Sequence, residues 1–430
     1  MSQTSPEWLA SGVAQVAATL EASPILGIAA QVRALVAAGK TVCNLTIGDF
    51  EPKHYPLPQK LLDGTAQAMR DGWTNYPPAN GILELRQAVQ QQCTRRLGWT
   101  PPLEHVLIAG GARPILYSCY RAILSPGDKV VYPTPSWNNN HYAHMLGAQP
   151  VELPVGPGDN FFAPYEVIAP HLHDARLIAL NSPQNPSGTC IDPGELLRLC
   201  QAVVAENDRR KSLNLKPLFV CYDQIYWMLT FGDTRHADPI GVLPAMVDYT
   251  IYVDGISKSF AATGLRVGWT VAPAPVVEAM NKVLGHVGAW APKAEQYAAA
   301  QLLSDDAAVD GYLDFIRGAA GRRLTMLHER LSALGERGYP IRTLQPQGAI
   351  YLSAEFALAG WRDGDKRLDT PDDIRSWLLS DVGLATVPFS VFGARHASHW
   401  HRLSVGAVGE QELSEALDRL DAAVARLQPV

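Results

Sequence analysis

Seven short apolar runs, each bounded by turn residues, punctuate the chain between Leu103 and Pro273: VLIAG (106–110), KVVYP (129–133), PVELPV (150–155), RLIAL (176–180), LFVCYD (218–223), IYVDG (251–255) and VGWTVA (267–272). A strand with one wet face alternates apolar and polar residues. These runs do not, so they read as strands covered on both faces. Helical patterns separate them. In PGELLRLCQAVVAEND (193–208), Leu196, Leu199, Cys200 and Val203 fall on one stripe. Such alternation predicts an α/β fold with a mostly parallel seven-stranded sheet, right-handed crossovers and flanking helices. Turn chemistry marks the strand ends: Ser125-Pro126-Gly127-Asp128 precedes one run and Asn185-Pro186-Ser187-Gly188 follows another.

The flanks read differently. Residues 24–40 form an amphipathic helix with a glycine near its end, 294–337 are mostly helical, and 341–430 mix short strands with helices. A chain of 430 residues outgrows one core, which stops growing near roughly 250–300 residues, so two domains are expected. With 18% charged residues, a net charge of -6 and no Lys/Arg run, the chain carries no footprint for nucleic acid, and a small-molecule partner is expected. Six scattered cysteines without Cys-x-x-Cys spacing make neither a zinc site nor a disulfide framework and suit packing in a reducing compartment. The stretch MSQTSPEWLASG lacks the basic start and apolar block of a secretory signal, and no run approaches the roughly 20 apolar residues of a membrane span. A cytoplasmic location follows as the expectation. No metal is expected, because His141/His144 and His171/His173 lack acidic or cysteine partners at ligand spacing. Gly-x-Ser-x-Gly and Gly-x-Gly-x-x-Gly are both missing, which argues against a hydrolase elbow and a dinucleotide fold.

The decisive segment runs from Asp254 to Trp269, DGISKSFAATGLRVGW. Lys258 leaves the end of an apolar strand, where open α/β sheets place ligands. An amine desolvated there has a lowered pKa and can attack an aldehyde. The hydroxyls of Ser257 and Ser259 and the guanidinium of Arg266 suit a phosphate group. A lone lysine is usually a solvated surface residue, but that reading leaves the matching segments elsewhere unexplained.

This segment resembles the cofactor-lysine signature of class I and II aminotransferases, with an arginine eight residues after the lysine. The resemblance spans about residues 24–425, and the motifs come in the family's order. It implies fold type I, with a large domain at 56–293 that binds pyridoxal 5'-phosphate. A smaller α+β domain comes from both chain ends, residues 1–55 packing with 294–430. Lys258 is implied to hold the cofactor as an aldimine and to move the proton between Cα and the ring-side carbon. Ser257 and Arg266 bind its phosphate, together with the turn Gly110-Gly111-Ala112-Arg113 ahead of a helix expected to start at Pro114; amides at a helix start attract anions. In CYDQIY (221–226), Asp223 keeps the pyridine nitrogen protonated and Tyr226 bonds the ring's phenolic oxygen. Asn185 is implied to touch that oxygen and the substrate carboxylate, Trp137 to stack on the ring, Gly48 to approach the substrate, and Arg402 to grip its α-carboxylate. Phe389 stands where the family's Pro-Gly-x-x-Phe-Gly loop has glycine. Tyr76 is implied to reach the phosphate of a neighbouring subunit, which makes the enzyme a homodimer with shared sites.

The function implied is transfer of an amino group from an L-amino acid, with aspartate or another dicarboxylate favoured, to a 2-oxo acid such as 2-oxoglutarate, by a ping-pong mechanism. A β-lyase or a related fold type I enzyme is the alternative. A non-catalytic cofactor sensor fused to a DNA-binding head fits poorly, since only about 23 residues precede the matching region. Arg113 is left with three readings: phosphate binding, a distal carboxylate or a surface ion pair.

Overall fold

The computed structural model describes residues 6–22 and 24–430. Residues 1–5, the start of the stretch read for a signal, lie outside them. Each of the seven apolar runs is a strand, with both ends within one residue of the expected bounds. They are β1 Val106–Ala109, β2 Lys129–Thr134, β3 Gln149–Pro154, β4 Ala175–Asn181, β5 Phe219–Asp223, β6 Thr250–Gly255 and β7 Gly268–Val271. They form one sheet in the order β1-β7-β6-β5-β4-β2-β3. Only β7 breaks the parallel arrangement, running antiparallel to β1 and β6.

The lack of alternation has a direct cause. Successive side chains of a strand point to opposite faces, and in the strands other than β3 each face meets its own core. Strand β3, at the sheet edge, was expected to be covered likewise, but Gln149, Pro150, Glu152 and Pro154 are exposed and only Leu153 is buried. Leu107, Val130, Cys221, Ile251 and Val253 face one core, which they share with Ile115, Cys119 and Met280. Ile108, Val131, Val220 and Tyr252 face the other, with Leu196, Leu199 and Val203. Each large aliphatic side chain buried in this way contributes roughly 1.5–3 kcal/mol relative to exposure.

The helices that matter here are α1 Pro24–Ala37, α2 Ala112–Ile123, α3 Pro193–Ser212, α4 Ala274–Val287, α5 Lys293–Leu303, α6 Asp306–Glu336 and α7 Glu410–Val424. Helix α3 starts where Asp192 accepts from the Gly194 and Glu195 amides, and it ends in Arg209, Arg210 and Lys211, which suit the negative end of the helix dipole. Its four expected stripe residues are all buried. Helix α2 starts two residues before the expected Pro114. Gly111, at φ 98°, completes the turn out of β1, so the chain is helical from Ala112. Pro114 still fits, because first-turn amides have no partner within the helix.

Towards the C-terminus, β8 Ile341–Thr343, β9 Tyr351–Phe356, β10 Val387–Pro388 and β11 Trp400–Ser404 form an antiparallel sheet in the order β10-β11-β9-β8. Phe389 follows β10 fully buried, edge-on to Phe161. The chain ends meet at one short ladder: Cys43–Asn44 pairs in parallel with Leu384–Ala385. All six cysteines are buried and free. Among the described residues, no helix is long and apolar enough to cross a membrane.

Candidate active site

A cavity of about 720 Å³ lies beyond the carboxyl ends of β4, β5 and β6. The other sheet reaches it through Arg402 on β11 and Tyr351 on β9. Most of the expected site residues line it, the exceptions being Gly110, Gly111, Ser259 and Tyr76.

Lys258 sits on a single helical turn, Ile256–Ser259, immediately after β6. Its Nζ donates to the Gly48 carbonyl at 2.6 Å. Burial pulls the amine down to about 8; Asp49 opposes the shift, while the positive charges of Arg402, Arg113 and Arg266 reinforce it. A neutral fraction is therefore available near neutral pH, as a nucleophile or base requires. Asp223 ends β5, and its Oδ1 accepts from the Ile225 amide at 3.1 Å. Burial pushes this carboxyl up to about 7, against that hydrogen bond and the nearby Lys258. A cation placed beside it would restore the carboxylate. Tyr226 is buried, its hydroxyl 2.6 Å from that of Tyr351.

One corner is built for an anion. Arg266 is held in a left-handed conformation (φ 56°), and its Nη1 and Nη2 donate to the carbonyls of Thr263 (2.7 Å) and Gly110 (3.0 Å). A Cβ on Gly111 would fall 2.3 Å from Nη2 of that guanidinium, and one on Gly268 would fall 2.6 Å from the Gly111 carbonyl carbon. Glycine at both positions lets β7, the arginine and the start of α2 close up. No side chain caps α2, so its first amides, with Ala112 on the cavity wall, can meet an anion. Ser257 lines the cavity, but Ser259, expected beside it, does not: its Oγ is buried without a hydrogen-bond partner. Two residues apart on a helical turn point about 200° apart, so one short turn cannot aim both hydroxyls at one group.

The opposite end holds Arg402, 2% exposed. Nη1 donates to Asn185 Oδ1 at 2.9 Å and Nη2 to the Thr46 carbonyl at 2.7 Å, while Nε has no partner. Asn185 is itself held by its amide, which donates to Asn181 Oδ1 at 2.7 Å. A Cβ on Gly48 would come within 2.8 Å of the Tyr351 hydroxyl, so only glycine lets this segment close over the arginine. On the side wall the Arg113 guanidinium lies 4.8 Å above the Trp137 ring. Among the described residues Arg113 makes no ion pair. Tyr76 is 82% exposed, edge-on to Trp290, and away from this chain's cavity.

Sequence reasoning missed Tyr351, Thr46 and Asp49. Asp49 accepts from the Thr263 hydroxyl at 2.6 Å, tying the Gly48 segment to the loop before Arg266. Its place beside Gly48 in NLTIGDFEP was the signal available.

These residues fit pyridoxal 5'-phosphate: a depressed amine, an anion corner, a buried carboxyl that needs a cation, and an arginine with a free donor face the same space. Residues 40–420 match the family described as aminotransferase class I and II, and the chain belongs to it. It is a pyridoxal-phosphate-dependent aminotransferase. Among its relatives, the chain is 28% identical to an aspartate aminotransferase of Bacillus sp. (strain YM-2), covering 94% of this chain and 96% of that one. It is 28% identical to a probable aspartate/prephenate aminotransferase of Aquifex aeolicus (96% and 98%). The crystal structure of the aspartate aminotransferase from Rhizobium meliloti superposes with a TM-score of 0.87 at 27% identity, covering 97% and 99% of the chains.

Proposed function

We propose that this aminotransferase takes its amino group from a dicarboxylic amino acid, aspartate above all, and passes it to a 2-oxo acid such as 2-oxoglutarate in a ping-pong cycle. The observation that carries the reading is one cavity lined by Lys258, Asp223 and three arginines, Arg266 for the phosphate and Arg402 and Arg113 for two carboxylates. The names of the relatives support the aspartate assignment. Pyridoxal phosphate, when bound, supplies an electron sink that acidifies the substrate's α-carbon. The chain's own residues do the rest. Arg266, Ser257 and the Gly111–Ala112 amides hold the phosphate. Trp137 would cover the ring, Asp223 would keep a proton on the ring nitrogen, and Tyr226 and Asn185 would donate to the ring oxygen. Lys258 would anchor the cofactor through Nζ, and the same amine, lowered to about 8, is suited to carry a proton at the substrate Cα. Arg402 receives the α-carboxylate on its fork, beside Gly48.

Arg113, stacked on Trp137, receives the distal carboxylate. Arg113→Ala is expected to raise the KM for aspartate about ten- to a hundredfold, the worth of a charge-assisted hydrogen bond, and to leave that for alanine unchanged. Equal effects on both would remove this role. The direct test adds L-aspartate to the cofactor-loaded enzyme with no acceptor. Loss of the cofactor's visible band with release of oxaloacetate is expected; a persistent band would reject aspartate.

The domain division at 55/56 and 293/294 belongs to the same reading, supported by the Cys43–Asn44 ladder to Leu384–Ala385. So does a homodimer in which Tyr76, exposed in its own subunit, reaches the phosphate of the other. Light scattering of the active enzyme should give the mass of two chains; full activity at the mass of one would refute sharing. Six free buried thiols support a cytoplasmic location.

A further inference from the structure

Tyr351 is the first residue of β9 and is buried, and four parts of the site converge on it. Its hydroxyl lies 2.6 Å from that of Tyr226. Its ring lies 4.7 Å under the guanidinium carbon of Arg402. Gly48, whose carbonyl receives Lys258, packs so closely that a Cβ there would meet the Tyr351 hydroxyl at 2.8 Å. A Cβ on Gly188, at the end of the Asn185 turn, would fall 2.1 Å from the Tyr351 carbonyl oxygen. One side chain thus touches both the phenol at the ring side and the arginine at the carboxylate side.

We infer that Tyr351 is a positioning residue that couples these two ends: its hydroxyl aims the Tyr226 proton into the cavity, and its ring sets the plane of Arg402. This rests on the roles proposed above for Tyr226 and Arg402. A phenol hydroxyl has one proton to give. When Tyr351 gives its own to Tyr226, the Tyr226 proton is free to point at the cofactor's ring oxygen, and a donor that itself accepts is the stronger for it. The electron-rich ring face holds the guanidinium broadside, which leaves its edge, including the unpartnered Nε, for a planar carboxylate.

Tyr351→Phe deletes the hydroxyl and keeps the ring; Tyr351→Leu deletes both. In the pyridoxal-phosphate-loaded enzyme, Tyr351→Phe should move the pH midpoint of the cofactor's visible absorbance up by about half a unit to one unit, as for the loss of one hydrogen bond. Succinate, as a carboxylate probe, should bind within about twofold of the parent. Tyr351→Leu should show the same midpoint and bind succinate about fivefold more weakly, as the loss of a cation–π contact requires. Tyr226→Phe and Arg402→Gln are the controls, and adding Tyr351→Phe to Tyr226→Phe should change the midpoint no further. An unmoved midpoint in Tyr351→Phe, or shifts that add in the double variant, overturns the coupling while Tyr226→Phe still moves the midpoint. Unchanged succinate binding in Tyr351→Leu, with binding lost in Arg402→Gln, overturns the arginine's part. Controls that both match the parent would instead refute the roles of Tyr226 and Arg402, and the inference with them.

Discussion

Replacing Lys258 with alanine is expected to lower turnover by more than about ten-thousandfold, because one amine serves as both anchor and proton carrier. Cofactor affinity should fall far less, since Arg266 and the start of α2 hold the phosphate independently of that amine. The same variant should make the cofactor-free chain more stable near neutral pH. The folded amine titrates at about 8, below the ordinary 10.5. Between those values the unfolded chain binds a proton that the folded chain does not, so Lys258 costs stability below pH 8 and the cost fades as pH rises through 10.5. Thermal melting of both proteins at pH 7 and at pH 10.5 reads this directly. Activity within tenfold of the parent would refute the catalytic role, and a stability gap equal at both pH values would refute the buried-amine account.

Asp223→Asn should lower kcat by about a hundred- to ten-thousandfold, the usual worth of a group that controls a proton in the reaction. Asparagine keeps an oxygen for the Ile225 amide but has no charge with which to hold a proton on a ring nitrogen. Its stability effect has the opposite pH sense to that of Lys258. The folded carboxyl titrates at about 7 against an ordinary 3.8. Across that window the unfolded chain releases its proton first, so the parent loses stability as pH rises from 4 to 7. The cofactor-free Asn variant should therefore gain on the parent by up to a few kcal/mol at pH 8 and by almost nothing below pH 4. Such a gain paired with lost activity marks a residue kept for function at the expense of stability. Undiminished kcat would mean that the ring nitrogen is held by another group.

The sheet was legible because its cause is local: strands covered on both faces leave unbroken apolar runs, and each run appeared within a residue of its expected bounds, although the edge strand Gln149–Pro154 proved largely exposed. Lys258, Asp223 and Asn185 were legible for a related reason, standing at or just beyond strand ends, where chain order already places them together. The remainder depends on packing between distant segments. Tyr351 is one more aromatic in an apolar strand, YLSAEF, until its pairing with Ser404 brings Arg402 over its ring. Ser259 failed as a phosphate ligand because helical rotation, invisible in a list of hydroxyls, turned it from the cavity. Pro114 looked like a helix start, but the left-handed Gly111 had already begun the helix.

The ladder between Cys43–Asn44 and Leu384–Ala385 joins residues separated by nearly the whole chain, and it sets a timetable. At roughly 5–20 residues per second, about 20–70 s pass between synthesis of the first strand and of its partner. Through that interval the Gly48 segment lacks its ladder and the arginine that it roofs, and Lys258 and Thr263 are the partners made before them. Arg402, the last of the cavity's residues in chain order, therefore joins the site only after that interval.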